Sequence, residues 1–443
     1  MINTQLSHRL SPISVYVKET GEGGAFIVAS VKSAYDAREA ASLSYSQIAE
    51  VLSERRMASV HERIFGSLSV EHDVISARRQ AFTSSGISPE NPVTYIEGNP
   101  PWGEGLAGVI IHAVKKDEVW TVMDRGVPCG RGWRQNGIAH LVLQNIKALG
   151  GSFRADTKKS KSNSTLPSFP DLIGESTTAM DARLQAAGMT NNVAACTLTN
   201  ELTRLSKPLQ ARLMLEHAER ILRENSASYS DVVRTWFYLS DILGWYAGFN
   251  KVRNEKYGEF GIMPGPGDRE LLLPASTGIS GNSRACAACA MDLIAVLGSD
   301  GVAPSVRKLS NPSQLDAFRY GSAFARASVV SNGRTELIEL SGTAAIDEHG
   351  VSLYPADIRA QIDCTLNKVQ TLLAQEGAEL KDICSATVFV KHGEHAEIFR
   401  EMAASRGLDD FPYVCVVGDV CREELLFEID AEAIVKTSGK GRS

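Results

Sequence analysis

The run Leu425-Leu426-Phe427-Glu428-Ile429-Asp430-Ala431 sets a carboxylate inside an apolar β pattern, where burial raises its pKa and leaves it a proton to donate. A lone carboxylate of this kind more often faces water at a sheet edge, so its company matters. Gly418-Asp419-Val420-Cys421-Arg422 comes just before it, and Ser341-Gly342-Thr343-Ala344 supplies a polar turn upstream. Arg326 sits in the apolar setting Phe324-Ala325-Arg326-Ala327, and Arg253 closes Phe249-Asn250-Lys251-Val252-Arg253. The plainer readings are a surface salt bridge for either arginine and a small hydrophobe in a turn for Cys421.

Composition bounds the possibilities. With 443 residues, 43% hydrophobic and 22% charged, the chain is ordinary globular protein of two to four compact units. A formal charge of −6 argues against nucleic acid or an acidic membrane surface as partner, and directs any anionic substrate to a local arginine pocket. No stretch approaches the roughly 20 apolar residues of a membrane span, and residues 1–22 contain no apolar leader core, which reads as a cytoplasmic protein. The eight cysteines read as reduced thiols, including Cys286-Ala287-Ala288-Cys289, taken as core packing because no second pair accompanies it. Gly103-Glu104-Gly105-Leu106-Ala107-Gly108 spells GxGxxG but precedes a strand instead of opening a helix, so it does not cradle phosphate.

The elements that must position Glu428 recur three times. Each copy has an early helix, a short β run, a second helix stopped by Gly, a Pro-containing strand and a final apolar strand. The early helices are expected over 37–56, 208–225 and 355–376; the last carries Ile358, Ile362, Leu366, Val369 and Leu373 at helical spacing. The middle strands are expected over 60–67, 232–239 and 384–390, and the closing strands over 108–114, 291–296 and 425–431. This is an α+β layout of β-β-α-β-α-β-β units, each with helices on one sheet face. The bare faces can be buried by packing three units around a pseudo-threefold axis, with clefts at the seams. The boundaries fall at 1–117, 118–305 and 306–443, with an insertion at about 150–195 in the second unit whose Lys/Ser-rich 150–170 portion reads as a solvated basic loop.

These residues resemble a known family. The third unit, from Ser341-Gly342-Thr343-Ala344 through Asp357, Gln361 and Asn367 to Glu428-Ile429-Asp430-Ala431, resembles the Rid (YjgF-like, chorismate-mutase-like) fold, whose members are trimers with clefts between subunits. Asn311-Pro312-Ser313-Gln314, Ala317-Phe318-Arg319-Tyr320, Phe324-Ala325-Arg326-Ala327, Gly418-Asp419-Val420-Cys421-Arg422 and Phe249-Asn250-Lys251-Val252-Arg253 are more specifically similar to the chorismatases. The likeness is good over 310–436, moderate over 200–298 and weak over the first 117 residues.

The resemblance implies a cofactor-free enzyme, lyase or hydrolase, that removes pyruvate from chorismate or a related enolpyruvyl acid of secondary metabolism. Glu428 then protonates the enolpyruvyl methylene, Arg253 and Arg326 hold the carboxylates, and the Tyr320 hydroxyl orients the substrate. Gly342, Thr343 and Tyr413 are expected against the substrate. Cys421 with Gly342 resembles the branch that forms 3-hydroxybenzoate, as opposed to the branch that hydrolyses chorismate to a dihydrodiol acid. Rid imine deaminases carry an arginine fifteen residues before the glutamate; Tyr413 holds that place here, against imine or enamine hydrolysis. A further alternative is a non-catalytic small-molecule binder. Between Tyr320 and Phe324 only Gly321-Ser322-Ala323 remain, where the resemblance leads one to expect a longer loop with its own arginine. The expected partners are a small anionic substrate and neither nucleic acid, membrane nor metal, in a monomer or loose homo-oligomer.

Overall fold

The computed structural model describes residues 3–5, 11–21, 23–148, 204–265, 271–299, 301–331 and 333–437. The insertion at about 150–195, its basic 150–170 portion included, lies outside them.

Three six-stranded sheets carry the same topology. The first contains β1 (Asn3–Gln5), β2 (Ile13–Glu19), β3 (Ala25–Val31), β4 (Met57–Gly66), β5 (Thr94–Glu97) and β6 (Leu106–Lys115), in the order β1-β2-β3-β6-β4-β5. The second repeats this order with β7 (Val119–Asp124), β8 (Val127–Gln135), β9 (Ile138–Ile146), β10 (Val232–Leu239), β11 (Ala275–Ser280) and β12 (Cys289–Gly298). The third does so with β13 (Ser305–Leu309), β14 (Ala327–Ser331), β15 (Thr335–Ala344), β16 (Ile383–Val390), β17 (Tyr413–Val417) and β18 (Phe427–Lys436). In each sheet a single pair is parallel, β4/β5, β10/β11 and β16/β17, because a helix crosses between its strands. The repeat is thus β-β-β-α-β-α-β-β, one leading strand longer than the sequence pattern suggests.

The helices are α1 (Ala37–Glu54) and α2 (Glu71–Ser84), α3 (Lys207–Glu224) and α4 (Ile242–Glu259), and α5 (Ile358–Ala374) and α6 (His395–Ser405). Side-chain caps fix the starts of the long first helices: Asp36 accepts from Glu39 N, Ser206 from Leu209 N and Asp357 from Ala360 N. The apolar stripe of α5, with Ile362, Leu366, Val369 and Leu373 fully buried, lies on the third sheet. Equivalent helix-on-sheet cores fill the first and second units.

A fourth core forms where the bare sheet faces meet. Val28, Val60 and Phe65 of the first unit pack there with Trp236, Tyr238 and Ile294 of the second and Ala344, Val414 and Val416 of the third. The edges close a ring: β5 lies against β9, β11 against β15, and β17 against β3 and β6. Each unit thereby lends its parallel edge strand to the next, and each seam is bordered by two units.

The ring also buries charge. Arg63 donates to Glu432 at 2.9 Å, and Arg234 donates to Asp430 at 3.1 Å. Glu339 on β15 stands 3.7 Å from Arg234, with burial and Glu432 pushing its carboxyl up against the pull of Arg234 and Arg63. An acid raised in the folded state contributes stability that is complete below its unfolded pKa and lost as pH rises through the folded one. In thermal denaturation, Glu339→Gln is therefore expected to gain on the wild type between about pH 4.5 and 8. A constant difference across that range would refute the shift.

Among the described residues no helix is long and apolar enough to cross a membrane. Cys289 is buried on β12 as the sequence reading has it, but Cys286 is exposed at a left-handed φ of 51° and packs in no core.

Candidate active site

The seam between the second and third units holds a cleft of about 730 Å³. Glu428, Cys421, Arg253, Arg326, Tyr320 and Gly342 all line it, although 175 residues separate Arg253 from Glu428 in the chain.

Glu428 is the second residue of β18 and is 5% exposed. Burial and the neighbouring Asp430 push its carboxyl up to about 8, against the opposing pull of Arg326 and Arg234. It is a neutral acid at pH 7. Its room comes from Gly342 on β15: a Cβ there would stand 2.2 Å from Glu428 Oε1 and 3.3 Å from Thr277 Cγ2. Gly342→Ala must therefore turn the carboxyl out of place. Misplacement on that scale is expected to lower kcat by about 10²-fold while chemical denaturation shifts by less than about 1 kcal/mol. Unchanged turnover would mean that the Glu428 position is not critical.

The two arginines are each 1% exposed. Arg253 is the last of a stripe on α4, Tyr246, Asn250 and Arg253, that helical spacing turns to the cleft. It donates to Asn250 Oδ1 at 2.7 Å and lies over Phe237, Phe249 and Phe324 at 5.5–5.8 Å. Arg326 donates to Tyr320 Oη at 3.0 Å and to the Leu315 carbonyl, and stacks over Phe324 at 5.3 Å. Phe324 thus lies within 6 Å of both guanidiniums. The backbone beside Arg326 is clamped between units: Ala325 N donates to Pro274 O at 2.9 Å, and Ser341 N to Arg326 O at 3.0 Å. Neither arginine has an acidic partner within ion-pair distance among the described residues. Two desolvated cations without counter-charge are costly unless an anion visits them.

Cys421, Tyr246 and Asn254 add neutral donors to the wall. Burial, followed by Glu428, pushes the Cys421 thiol up to about 12, so it is a thiol and not a thiolate. Burial first of all holds the Tyr246 phenol at about 12, a donor at neutral pH. Asn254 donates to Gly321 O at 2.9 Å, which ties the short 321–323 segment to α4. Arg422, which the motif contained but the site expectation did not, also lines the cleft; it stacks over Tyr320 at 5.6 Å and donates to Gly350 O at 2.8 Å.

Two expected site residues lie elsewhere. Thr343 alternates away from Gly342 and Ala344, is fully buried, and donates to Ser341 O at 2.9 Å, so it does not face the cleft. Tyr413 is on β17, which borders the seam with the first unit, and its ring packs on Phe399 at 5.2 Å and Phe411 at 5.8 Å against the helices. The strand that faces Glu428 is β11 of the second unit. Register equates Ser276 there with Tyr413: Ser276 pairs with Thr235 one residue before Trp236, as Tyr413 pairs with Ala386 one before Thr387, and Trp236 and Thr387 oppose Asp292 and Asp430. Ser276 lines the cleft. The place of the Rid arginine in this seam is held by serine.

Among the described residues, the equivalent position at the other two seams holds no acid. The residues at the Glu428 register position are Ala290 on β12, opposite Tyr238, and Gly108 on β6, opposite Phe65.

Comparison with known proteins agrees with this architecture. Residues 322–435 match the Endoribonuclease L-PSP family. A chorismatase from Streptomyces hygroscopicus is 25% identical over 228 residues, an alignment that spans 46% of this chain and 62% of that one. A chorismatase crystal structure superposes with a TM-score of 0.51 over 85% of this chain and 93% of its own, at 19% identity. The chain is chorismatase-like, with the Rid fold. A member of the YjgF/YER057c/UK114 family from Mycobacterium tuberculosis is 26% identical, with 30% of this chain and 100% of that one covered and a TM-score of 0.24.

Proposed function

We propose that the cleft removes pyruvate from chorismate or a closely related enolpyruvyl acid, with Glu428 as general acid. The observation that carries this reading is the pairing of a neutral buried carboxylic acid with two buried guanidiniums that have no acidic partner of their own among the described residues. A dianionic substrate supplies the missing charge, and its carboxylates take the free edges of Arg253 and Arg326. Glu428 gives its proton to the enolpyruvyl methylene, which becomes a methyl group, and the ether carbon becomes an oxocarbenium-like centre. The buried carboxylate left behind faces that cation. In one route the ring C4 hydroxyl oxygen bonds to C3 as the bond between C3 and the ether oxygen breaks; pyruvate leaves with that oxygen, the hydroxyl proton returns to Glu428, and the ring epoxide isomerises to 3-hydroxybenzoate with no net consumption of water. In the other, one water adds to the oxocarbenium carbon and gives a proton back to Glu428, and the hemiketal then releases pyruvate and a dihydrodiol acid that keeps its C3 oxygen. The neutral Cys421 thiol and the bare Gly342 favour the first route, since neither activates water. The scheme needs no cofactor.

Imine hydrolysis is the weaker reading, because Ser276 offers no guanidinium to a substrate carboxylate beside Glu428. Turnover of chorismate in deuterated water tests the proposal: pyruvate carrying one deuterium in its methyl group is expected, with chromatography identifying the ring product. Pyruvate without deuterium would remove the protonation step, and a dihydrodiol acid would overturn the assignment to 3-hydroxybenzoate.

A further inference from the structure

Glu428 has a neighbour that never reaches the cleft. Asp430 stands two residues along β18, on the same face, and is 1% exposed. Its Oδ2 accepts from Trp236 Nε1 at 2.9 Å, Thr277 Oγ1 at 2.9 Å and Arg234 Nη2 at 3.1 Å, all from the second unit, while Oδ1 accepts from Thr387 N at 3.3 Å. Thr277 Oγ1 in turn accepts from Gly342 N at 3.1 Å. Asp430 therefore grips, through one hydroxyl, the backbone of the residue whose missing Cβ makes room for Glu428.

We infer that Asp430 is a positioning residue: its charge, fixed from across the seam, keeps the proton on Glu428, and its link through Thr277 to Gly342 holds the carboxyl in place. The inference rests on the reading of Glu428 as the acid. The charged and titratable groups around Glu428 come from every element packed on it. Asp430 is on its own strand, Arg234 on β10, Arg326 ahead of β14, and Cys421 in the turn before β18. Glu339, Glu432 and Arg63 complete the network behind Asp430. Asp430 is the carboxylate nearest in sequence that opposes ionisation of Glu428, whereas both arginines favour it.

The first seam supplies an internal comparison. Asp292 on β12 occupies the Asp430 register position and accepts from Thr94 Oγ1 at 2.7 Å and from the Asn145 backbone N at 2.7 Å, but Ala290 stands where Glu428 would be. A Thr–Asp clasp therefore has a structural part that both seams share. The part proposed for Asp430 alone is its action on the acid.

Infrared difference spectra between each background and the same background carrying Glu428→Gln isolate the Glu428 carboxyl and follow its titration without substrate. Asp430→Asn is expected to lower the Glu428 midpoint by about one pH unit, and the alkaline limb of kcat/KM moves down with it. Asp292→Asn is expected to leave the midpoint unmoved. A midpoint unchanged by Asp430→Asn, or shifted equally by Asp292→Asn, overturns the proposal. If Asp430→Asn does not fold, Thr277→Val takes its place: it removes a donor from Asp430 and keeps the charge, so the midpoint rises, and no movement or a fall counts against the proposal. Failure to release pyruvate from chorismate would sink the functional reading, while the infrared titration still decides this one.

Discussion

Glu428→Gln is expected to lower kcat for pyruvate release by about 10²–10⁴-fold while leaving KM within a few-fold of wild type. Glutamine keeps the shape and can still fill the space beside Gly342, but it has no proton to give. The arginines proposed to bind the substrate are untouched, so loss is expected on the chemical step and not on binding. The pH profile carries a second part of the same result. With the wild-type acid held at about 8 by burial and Asp430, kcat/KM is expected to stay high at neutral pH and fall as pH rises through that value, because only the protonated form acts. The residual activity of the variant should lack that limb. Steady-state kinetics of pyruvate formation from pH 6 to 9.5 measures both; equal turnover by the Gln variant would remove Glu428 from the mechanism.

Removing either buried guanidinium is expected to have opposite effects on the free protein and on binding. Arg326→Met or Arg253→Met deletes a desolvated cation that has no acidic partner among the described residues, and fills its space with a side chain of similar length. Replacing buried charge with well-packed apolar volume is often neutral or stabilising by about 1–4 kcal/mol, so the melting temperature should hold or rise. A substrate carboxylate then loses a charge-assisted hydrogen-bonding partner, and KM should rise by about 10²-fold for each variant. Differential scanning calorimetry with steady-state kinetics separates the two. A large loss of stability in either variant would mean that the arginine holds the fold together and that its vacancy for a substrate anion is an illusion of the free state.

Much of this was legible from the chain. The three-fold recurrence and the long helices α3 and α5 follow from periodicity, because each of these helices lays one apolar stripe on a sheet. The leading strands β1, β7 and β13 were not: β1 has three residues and β13 five, of which only Leu309 is buried, so neither is long enough to show an alternation. Within the site, Glu428 and Arg326 stood out because a charge in an apolar run contradicts its surroundings. The same contradiction in Val232-Val233-Arg234-Thr235-Trp236, and in Asp430 two residues beyond Glu428, could have pointed to the network under the acid.

The misplacement of Tyr413 has a topological cause. An offset counted along a single unit led to Tyr413, but the seam at Glu428 is completed by the neighbouring unit, and the matching residue is Ser276 on β11. Spacing along a chain cannot see a wall contributed by another copy of the repeat. Thr343 failed for a local reason: the register slips between Leu340 and Thr343, and the alternation after the slip turns Gly342 and Ala344 to the cleft. Tyr246 and Asn250 were hidden because their stripe on α4 reads as ordinary helix surface until Arg253 is known to be buried beside them.

If this cleft acts on an enolpyruvyl dianion, mixing the 443-residue protein with chorismate releases pyruvate, read by coupled reduction to lactate. Pyruvate is expected in equimolar yield with the chorismate consumed, at a rate that scales with protein concentration. Chorismate recovered intact, with no pyruvate above the protein-free control, would contradict it.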